Sequence, residues 1–355
     1  MKIFEHMTSH GHERVCCFHD EQTGLRAIIA VHSTALGNAL GGTRYWHYES
    51  EEDALYDVLR LSEGMTYKSA CAGLTMGGAK SVILRPTPDA PLTEDMAKAM
   101  GRFVDTLDGV YIAAEDVGVN EQIMDWMCTE TEHCMGGTGS GQGGDPSPHT
   151  ALGTLRGMQA ALRHVGLTQF AGLTVAIQGV GNVGKYLAQL LHEHGANLVV
   201  ADINQDAVQH VVDTCNAEAV GVDEILTTEC DILAPCAMGA VIGEHNIDQL
   251  RTRIICGAAN NQLVNPTEDG ERLQDRDVLY APDFIVNAGG VIHLAGLHLG
   301  MTLPELGEKI DEIESTTTHV LDVAKARGET TERIAIELAR HRVQTGSTKE
   351  RLHAH

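Results

Sequence analysis

The sequence lacks any run of about 18 uncharged apolar residues, so it predicts no membrane-spanning helix. Its first residues, MKIFEHMTSHGHERV, carry charges and histidines where a signal peptide would need an apolar stretch. The cytoplasm is therefore the expected location.

Signatures of disulfide and metal chemistry are also missing. The nine cysteines are an odd number and include no CxxC pair, which argues against a disulfide framework or a thiolate zinc site. The 19 histidines include no HExxH motif, and most are expected to be surface residues. The sequence therefore predicts no bound metal.

Positive charge is scarce, because 25 Lys and Arg residues face 49 Asp and Glu residues and the formal net charge is −24. A chain this acidic is expected to bind neither nucleic acid nor an anionic membrane. A very soluble surface is the simplest interpretation. The charge does not distinguish it from salt adaptation or from the needs of a large assembly.

The chain is long enough for two domains, and one glycine-rich stretch separates two differently patterned halves. MGGTGSGQGGDPSP, residues 135–148, holds six glycines and two prolines, which excludes a regular element. We predict a hinge at residues 136–148, with a helix beginning near Pro148 or Thr150.

The half before the hinge contains an amphipathic helix and a strand. SEEDALYDVLRLSEGMTYK has helical apolar spacing, and Ser50 with Asp53 forms a capping-box pattern at its start. KSVILRP is predicted to be a strand that begins at Lys80.

The half after the hinge alternates strands and helices, which favours a doubly wound parallel sheet and an α/β fold. DILAPCA, RIICGAA and VLYAPDFIVNAGG are predicted as buried strands, and two helices are predicted to close the chain. QGVGNVG places Gly179, Gly181 and Gly184 as GxGxxG between a strand and a helix. In that context the motif predicts a dinucleotide site, with the pyrophosphate at the helix N-terminus.

The second strand of this half ends in Asp202, 23 residues after Gly179, where a carboxylate can bind ribose hydroxyls and would repel the extra phosphate of NADP. Residues 186–250 contain no Lys or Arg that could bind that phosphate. The predicted cofactor is therefore NAD. The alternative is a glycine turn that only packs a helix on a strand.

MTYKSACAGLTMGGAK, residues 65–80, surrounds two lysines with small and apolar residues. Lys68 and Lys80 could be ordinary solvent-facing cations, as most lysines are. In a desolvated cleft, however, one ammonium can bind a carboxylate while the other has a lowered pKa and acts as a general base. With Asp116 to handle protons, this set suits the oxidation of an α-amino acid to an imine that water then attacks.

The chain resembles the glutamate/leucine/phenylalanine/valine dehydrogenase superfamily, and its leucine-type members in particular. The resemblance rests on ALGGTRYW, DALYDVLRLSEGMTYKSACAGLTMGGAKSVI, AEDVGV, DPSPHTALG, QGVGNVG, DILAPCAMGA, GAANNQL and YAPDFIVNAGGVI, in this order along most of the chain. It implies NAD-dependent oxidative deamination of an L-amino acid to a 2-oxo acid and ammonium. One departure is Asp145, where leucine-type relatives usually have Asn.

The resemblance also implies roles for matching residues. Lys80 would activate the water and Asp116 would shuttle protons. The implied substrate-binding residues are Lys68, Leu40, Gly41, Gly42, Ala114, Asn261, Val291 and Leu294. The implied cofactor-binding residues are Thr150, Gly179, Gly181, Asn182, Val183, Gly184, Asp202, Ala237, Asn260 and Asn287.

The domain arrangement follows from the same resemblance. It implies a substrate-binding and oligomerisation domain at residues 1–135, completed by a C-terminal tail at about residues 330–355. The hinge at 136–148 would lead to a Rossmann-type domain at 149–329, with the catalytic cleft between the domains. A homo-oligomer, octamer or dimer, is expected.

Leu40 takes the place of a lysine that binds the side-chain carboxylate in glutamate-type members, so glutamate is disfavoured. Ala114 and its neighbours Glu115 and Asp116 match the leucine type, which predicts leucine, valine and isoleucine as substrates. Phenylalanine or tryptophan is the main alternative. A hydroxyacid dehydrogenase or a non-enzymatic NAD-binding sensor would have no need for Lys68, Lys80 and Asp116 together.

Overall fold

The computed structural model describes residues 2–139, 144–237, 239–347 and 352, so residues 140–143 of the predicted hinge lie outside the described residues. It divides into two compact units. Unit 1 takes the described residues within Met1–Asp145, His293–Thr302 and Arg342–Lys349, and unit 2 takes those within Pro146–Ile292, Leu303–His341 and Glu350–His355. No helix in these described ranges is long and apolar enough to cross a membrane.

Unit 1 is built on a five-stranded mixed sheet. In chain order its elements are α1 (Ile3–His10), β1 (Arg14–Asp20), β2 (Leu25–Ser33), β3 (Ala39–Trp46), α2 (Glu51–Cys71), β4 (Gly77–Leu84), α3 (Glu94–Asp105), β5 (Tyr111–Glu115) and α4 (Glu121–Cys128). The strand order is β1-β2-β4-β3-β5. Strands β4, β3 and β5 are parallel, whereas β1 and β2 run antiparallel to their neighbours.

Helix α2 covers one face of this sheet and α3 with α4 covers the other. Ser50 caps α2 by accepting a hydrogen bond from the Asp53 N–H, as the sequence predicted. On the α2 face, Val58 and Leu59 pack against Ile28, Val82 and their neighbours. The predicted strand KSVILRP is confirmed as the greater part of β4.

Unit 2 is the predicted doubly wound domain. Its elements are α5 (Ser147–His164), β6 (Thr174–Gln178), α6 (Asn182–Glu193), β7 (Asn197–Ala201), α7 (Gln205–Cys215), β8 (Glu218–Ala219), β9 (Ile232–Pro235), β10 (Ile254–Ile255), α8 (Pro266–Asp275), β11 (Leu279–Tyr280), α9 (Asp283–Val286), α10 (Gly289–His298), α11 (Leu303–Arg327) and α12 (Thr331–Thr345). The last residues of α10 and of α12 belong to unit 1.

The six strands of unit 2 are all parallel and lie in the order β11-β10-β9-β6-β7-β8. Alternate residues of β6 enter different cores: Val175 and Ile177 pack with α5 and α6, and Ala176 packs on the opposite face. Both faces are therefore buried, as expected of a parallel sheet. The prediction of α5 near Pro148 is confirmed, because the helix begins at Ser147.

One predicted strand is largely wrong. In VLYAPDFIVNAGG only Leu279–Tyr280 forms a strand, and the chain then enters α9 at Asp283 and α10 at Gly289. A short apolar run has no periodicity that separates a buried strand from a buried helix.

Strand β4 and helix α2 touch at Gly78, which gives a test of the packing. A Cβ there would lie 2.0 Å from the Thr66 backbone nitrogen, so Gly78→Ala should force α2 off the sheet. We expect it to lower the free energy of unfolding by about 3 kcal/mol in a denaturant titration.

The control is Gly64→Ala in the middle of α2, where no atom of the described residues lies within 4 Å of the added Cβ. It should raise stability by up to about 1 kcal/mol, because alanine is the better helix former. Wild-type stability for Gly78→Ala would contradict the observed contact.

Candidate active site

Lys80 is buried inside unit 1 although lysine is normally a surface residue. Strand alternation puts Gly78, Lys80 and Val82 of β4 on the face that α2 covers. The Lys80 side chain is only 6% exposed. Burial of an ammonium is costly unless the charge is paired, so its partners decide its state.

The partner of Lys80 is the Asp116 carboxylate, which follows β5. Lys80 Nζ lies 3.0 Å from Asp116 Oδ2. The same oxygen accepts a hydrogen bond from Arg44 Nε at 2.7 Å, and Arg44 Nη1 lies 2.9 Å from Asp57 Oδ2 on α2. Tyr48 donates its hydroxyl to that Asp57 oxygen at 2.8 Å. Three elements of unit 1 thus meet in one network of charges.

The network moves the pKa values of its members in ways that suit proton transfer. Burial lowers the pKa of Lys80, and the charge of Arg44 lowers it further, although Asp116 opposes both. Burial alone would raise the pKa of Asp116, but Lys80 and Arg44 outweigh it and hold that pKa at about 2. The site therefore keeps an ionised carboxylate beside a lysine that releases its proton more easily than usual.

Sequence reasoning missed Arg44 and expected Lys68 to be the like charge beside Lys80. The alternation of ALGGTRYW in β3 could have indicated Arg44, since it shares a face with Leu40 and Gly42. Lys68 lies half-buried in the last turn of α2, the helix that covers this face. Its proposed role in binding a carboxylate stays a prediction.

Four other residues predicted to bind the substrate, Leu40, Gly41, Gly42 and Ala114, lie on the neighbouring strands β3 and β5. Leu40 is 1% exposed and Ala114 is 5% exposed. A Cβ on Gly41 would lie 1.7 Å from the Ala79 carbonyl oxygen, and one on Gly42 would lie 2.8 Å from Asp116 Cβ and 3.0 Å from Lys80 Nζ. These glycines therefore give β3 the space it needs beside the ionic network. Leu294 is buried in the part of α10 that belongs to unit 1.

Glu115, next to Asp116, has a quite different environment. Burial raises its pKa to about 7, and the charges of Glu121 and Asp145 add to the effect. Asp145, the position that departs from the leucine-type pattern, thus increases the proton affinity of a carboxyl group adjacent to Asp116 in the chain.

The GxGxxG turn of unit 2 forms the cradle expected of a dinucleotide site. Gly179 has a φ of +95°, and a Cβ there would lie 2.6 Å from Ala237 Cβ. Gly184 lets α6 approach the turn, since its Cβ would meet the Gly179 carbonyl oxygen at 2.0 Å. No side chain in the described part of the chain caps α6, so the N–H groups of its first turn, which includes Asn182 and Val183, can bind a pyrophosphate. Gly181, before the helix, has open space around it.

Asp202 is fixed beside this turn. Its Oδ2 accepts a hydrogen bond from the Val180 N–H at 2.8 Å and its Oδ1 accepts one from the Asn204 N–H at 2.9 Å. Each oxygen keeps a lone pair with which it could accept a ribose hydroxyl.

A second polar cluster in unit 2 contains Asn260 and Asn287, two of the residues predicted to bind the cofactor. Asn287 donates through Nδ2 to Asn260 Oδ1 at 2.8 Å, while Asn287 Oδ1 is buried and has no hydrogen-bond partner among the described residues. Such an orphaned acceptor suits the amide group of a nicotinamide. Asn261 has a φ of +51°, a left-handed conformation that asparagine tolerates.

Two further predicted residues lie beside Gly290, which follows Asn287 by three residues. The half-buried Thr150 sits in the first turn of α5, where a Cβ on Gly290 would meet its Oγ1 at 2.4 Å. Val291 follows Gly290 and is half-buried. Unit 2 thus contains the predicted cofactor-binding residues as well as Asn261 and Val291.

The sequence matches known proteins along most of its length. Residues 12–133 match the family model "Glu/Leu/Phe/Val dehydrogenase, dimerisation domain", and residues 143–208 and 200–297 match "Glutamate/Leucine/Phenylalanine/Valine dehydrogenase". The chain is 44% identical over 346 residues to leucine dehydrogenase of Bacillus subtilis strain 168, covering 97% of this chain and 94% of that protein. It is 42% identical to valine dehydrogenase of Streptomyces virginiae, covering 91% of each.

Among solved structures, the crystal structure of L-tryptophan dehydrogenase from Nostoc punctiforme matches with a TM-score of 0.84 and 38% identity. The match covers 97% of this chain and 99% of that one. The resemblance read from the sequence motifs is confirmed, and the chain belongs to the Glu/Leu/Phe/Val dehydrogenase family of amino acid dehydrogenases.

Proposed function

We propose that this enzyme catalyses the NAD-dependent oxidative deamination of leucine, valine and isoleucine to 2-oxo acids and ammonium, and the reverse reductive amination. The observation that carries the proposal is the buried contact of Lys80 with Asp116, in a chain 42–44% identical to a valine and a leucine dehydrogenase. The family's cofactor is a nicotinamide dinucleotide, and NAD in particular is part of the proposal.

Residues of unit 1 perform the substrate-binding and proton-transfer steps of the proposed reaction. Lys68 binds the α-carboxylate of the substrate. Lys80, in its neutral form, removes the proton from the water that attacks the imine carbon. Asp116, 3.0 Å from Lys80 Nζ, carries protons between that lysine and the leaving amine nitrogen. The nicotinamide supplies a hydride acceptor when it is bound.

The apolar character of the proposed side-chain pocket supports aliphatic substrates. Leu40 and Ala114 are buried and offer no charge to a second carboxylate, so glutamate would leave its side chain unpaired in a dry site. Leu294 of unit 1 is buried as well, and the substrate contact expected of Val291 in unit 2 stays a prediction. Discrimination among branched chains is expected to be weak, since one methylene contributes only about 1–3 kcal/mol.

Aromatic amino acids are the second candidate class. The match to an L-tryptophan dehydrogenase over 97% of this chain favours them, because similar backbones can enclose larger side chains.

The proposed assembly is a homo-oligomer, either an octamer or a dimer, and the proposed location is the cytoplasm. Light scattering would measure the mass of the assembly. The hinge and the cleft between the domains stay predictions.

A substrate panel tests the function. The purified full-length enzyme is mixed with NAD and each L-amino acid, and NADH formation is followed by absorbance. We expect the highest kcat/KM for leucine, valine or isoleucine. Glutamate as the best substrate would overturn the argument from Leu40, and tryptophan or phenylalanine as the best substrate would select the second candidate class.

Replacement of Lys80 by alanine tests its role as the base. Turnover of leucine should fall by about 10²–10⁴-fold, because general base catalysis contributes about that much. Binding of NAD, measured by calorimetry, should stay nearly unchanged. The control is Lys98→Ala, which removes a lysine paired with Glu94 on the surface of α3 and should keep wild-type turnover. Undiminished turnover of Lys80→Ala would exclude the role.

Asp202→Ala tests the choice of dinucleotide. Loss of the carboxylate removes a partner of the ribose hydroxyls and a charge that repels the 2′-phosphate of NADP. The ratio of kcat/KM with NAD to kcat/KM with NADP should therefore fall at least about tenfold, which corresponds to about 1.4 kcal/mol. The control Asp213→Ala removes an exposed carboxylate of α7 and should leave the ratio as it is. An unmoved ratio for Asp202→Ala would show that another feature selects the cofactor.

A further inference from the structure

Arg44 binds the Asp116 carboxylate, yet the proposed mechanism gives it no task. Its guanidinium lies between two carboxylates, with Nε 2.7 Å from Asp116 Oδ2 and Nη1 2.9 Å from Asp57 Oδ2. Because the guanidinium is planar, these two contacts fix both its position and its orientation. Its side chain is 21% exposed, so solvent screens these contacts less than those of a surface arginine.

The far carboxylate is itself held. Asp57 Oδ2 accepts the Tyr48 hydroxyl at 2.8 Å, and Asp57 Oδ1 lies 3.2 Å from Arg60 Nη2 in the same helix. Asp57 therefore anchors Arg44 to α2, and Arg44 in turn anchors Asp116, which lies in the loop between β5 and α4. Without Arg44, the described contacts would leave the Asp116 carboxylate only its bond to Lys80.

We propose that Arg44 is a positioning residue of the deamination reaction, which orients the Asp116 carboxylate toward Lys80 and supplies the like charge that faces Lys80. The proposal rests on the function proposed above. In this proposal Arg44 acts through Asp116 and Lys80 and contacts neither the substrate nor the cofactor.

The charges around Lys80 come from each element packed on this face. Strand β3 contributes Arg44, α2 contributes Asp57, and the loop after β5 contributes Asp116, whereas Ala30 of β2 is the cross-strand neighbour of Lys80. Lys68 of α2 and His32 of β2, which bonds Thr66 of α2, lie farther along the same face. The charge of Arg44 lowers the pKa of Lys80, and those of Asp116 and Asp57 raise it.

Two substitutions should therefore move the pH profile in opposite directions. Neutral Lys80 is the active form, so the acid limb of kcat/KM follows its pKa. R44M removes a cation, raises the pKa of Lys80 and should move the limb about one unit or more to higher pH. D57N keeps the shape of the side chain but removes an anion, and should move the limb to lower pH. The titration of leucine's own amino group is common to all variants.

Conservative and surface variants separate this role from a purely structural one. R44K keeps the charge but cannot make both bonds, so it should keep the wild-type limb and turn over several-fold more slowly. R26M removes the exposed contact of Arg26 with Glu51, another strand-to-α2 pair, and should leave the profile and the rate unchanged. Thermal midpoints are measured for all four variants.

The outcomes distinguish the two proposals. A wild type that forms no NADH with any amino acid would defeat the proposed function. If the wild type is active but the limbs of R44M and D57N coincide with its own, the role of Arg44 is wrong and the function stands. Should R44M fail to fold, the direction of the D57N shift decides, and a limb at unchanged or higher pH would overturn the proposal.

Discussion

The interaction on which the site depends is the burial of Lys80 against a carboxylate that it shares with an arginine. An ammonium with 6% exposure is tolerated only because Asp116 pairs with it, and Asp116 stays ionised only because two cations surround it. The packing around them follows from this requirement. Helix α2 reaches the sheet closely at Gly78 and brings Asp57 within reach of Arg44. A larger residue at Gly42 would collide with both Asp116 and Lys80.

This arrangement lowers the pKa values of two neighbouring groups, so that an ionised carboxylate lies beside a lysine that releases its proton more easily than usual. Burial disfavours the charged form of each group, so by itself it lowers the pKa of Lys80 and raises the pKa of Asp116. In Asp116 the adjacent cations reverse the effect of burial. The charge of Lys80 contributes most to this reversal and that of Arg44 comes next, and Arg44 acts on both groups because its charge favours the anion and disfavours the ammonium.

The sequence predicted well those features that depend on neighbouring residues. The GxGxxG turn, the cap at Ser50 and the start of α5 are encoded within a few residues, and the structure has them where they were predicted. Arg44 and Asp116 are 72 residues apart, and their contact depends on the parallel pairing of β3 with β5, which no local pattern reveals. The strand predicted for the apolar residues after Leu279 was wrong for a different reason. Their local pattern fits a helix and a strand equally well.

The proposed preference for NAD depends on how firmly the chain holds Asp202. A flexible carboxylate could turn away from a 2′-phosphate, and the repulsion would then be small. Here both oxygens accept backbone N–H groups, from Val180 within the glycine turn and from Asn204 before α7. The charge is therefore fixed next to the turn that would hold the pyrophosphate, and no Lys or Arg occurs between residues 186 and 250 to offset it. The proposed preference for NAD thus depends on the rigidity of one side chain as much as on its charge.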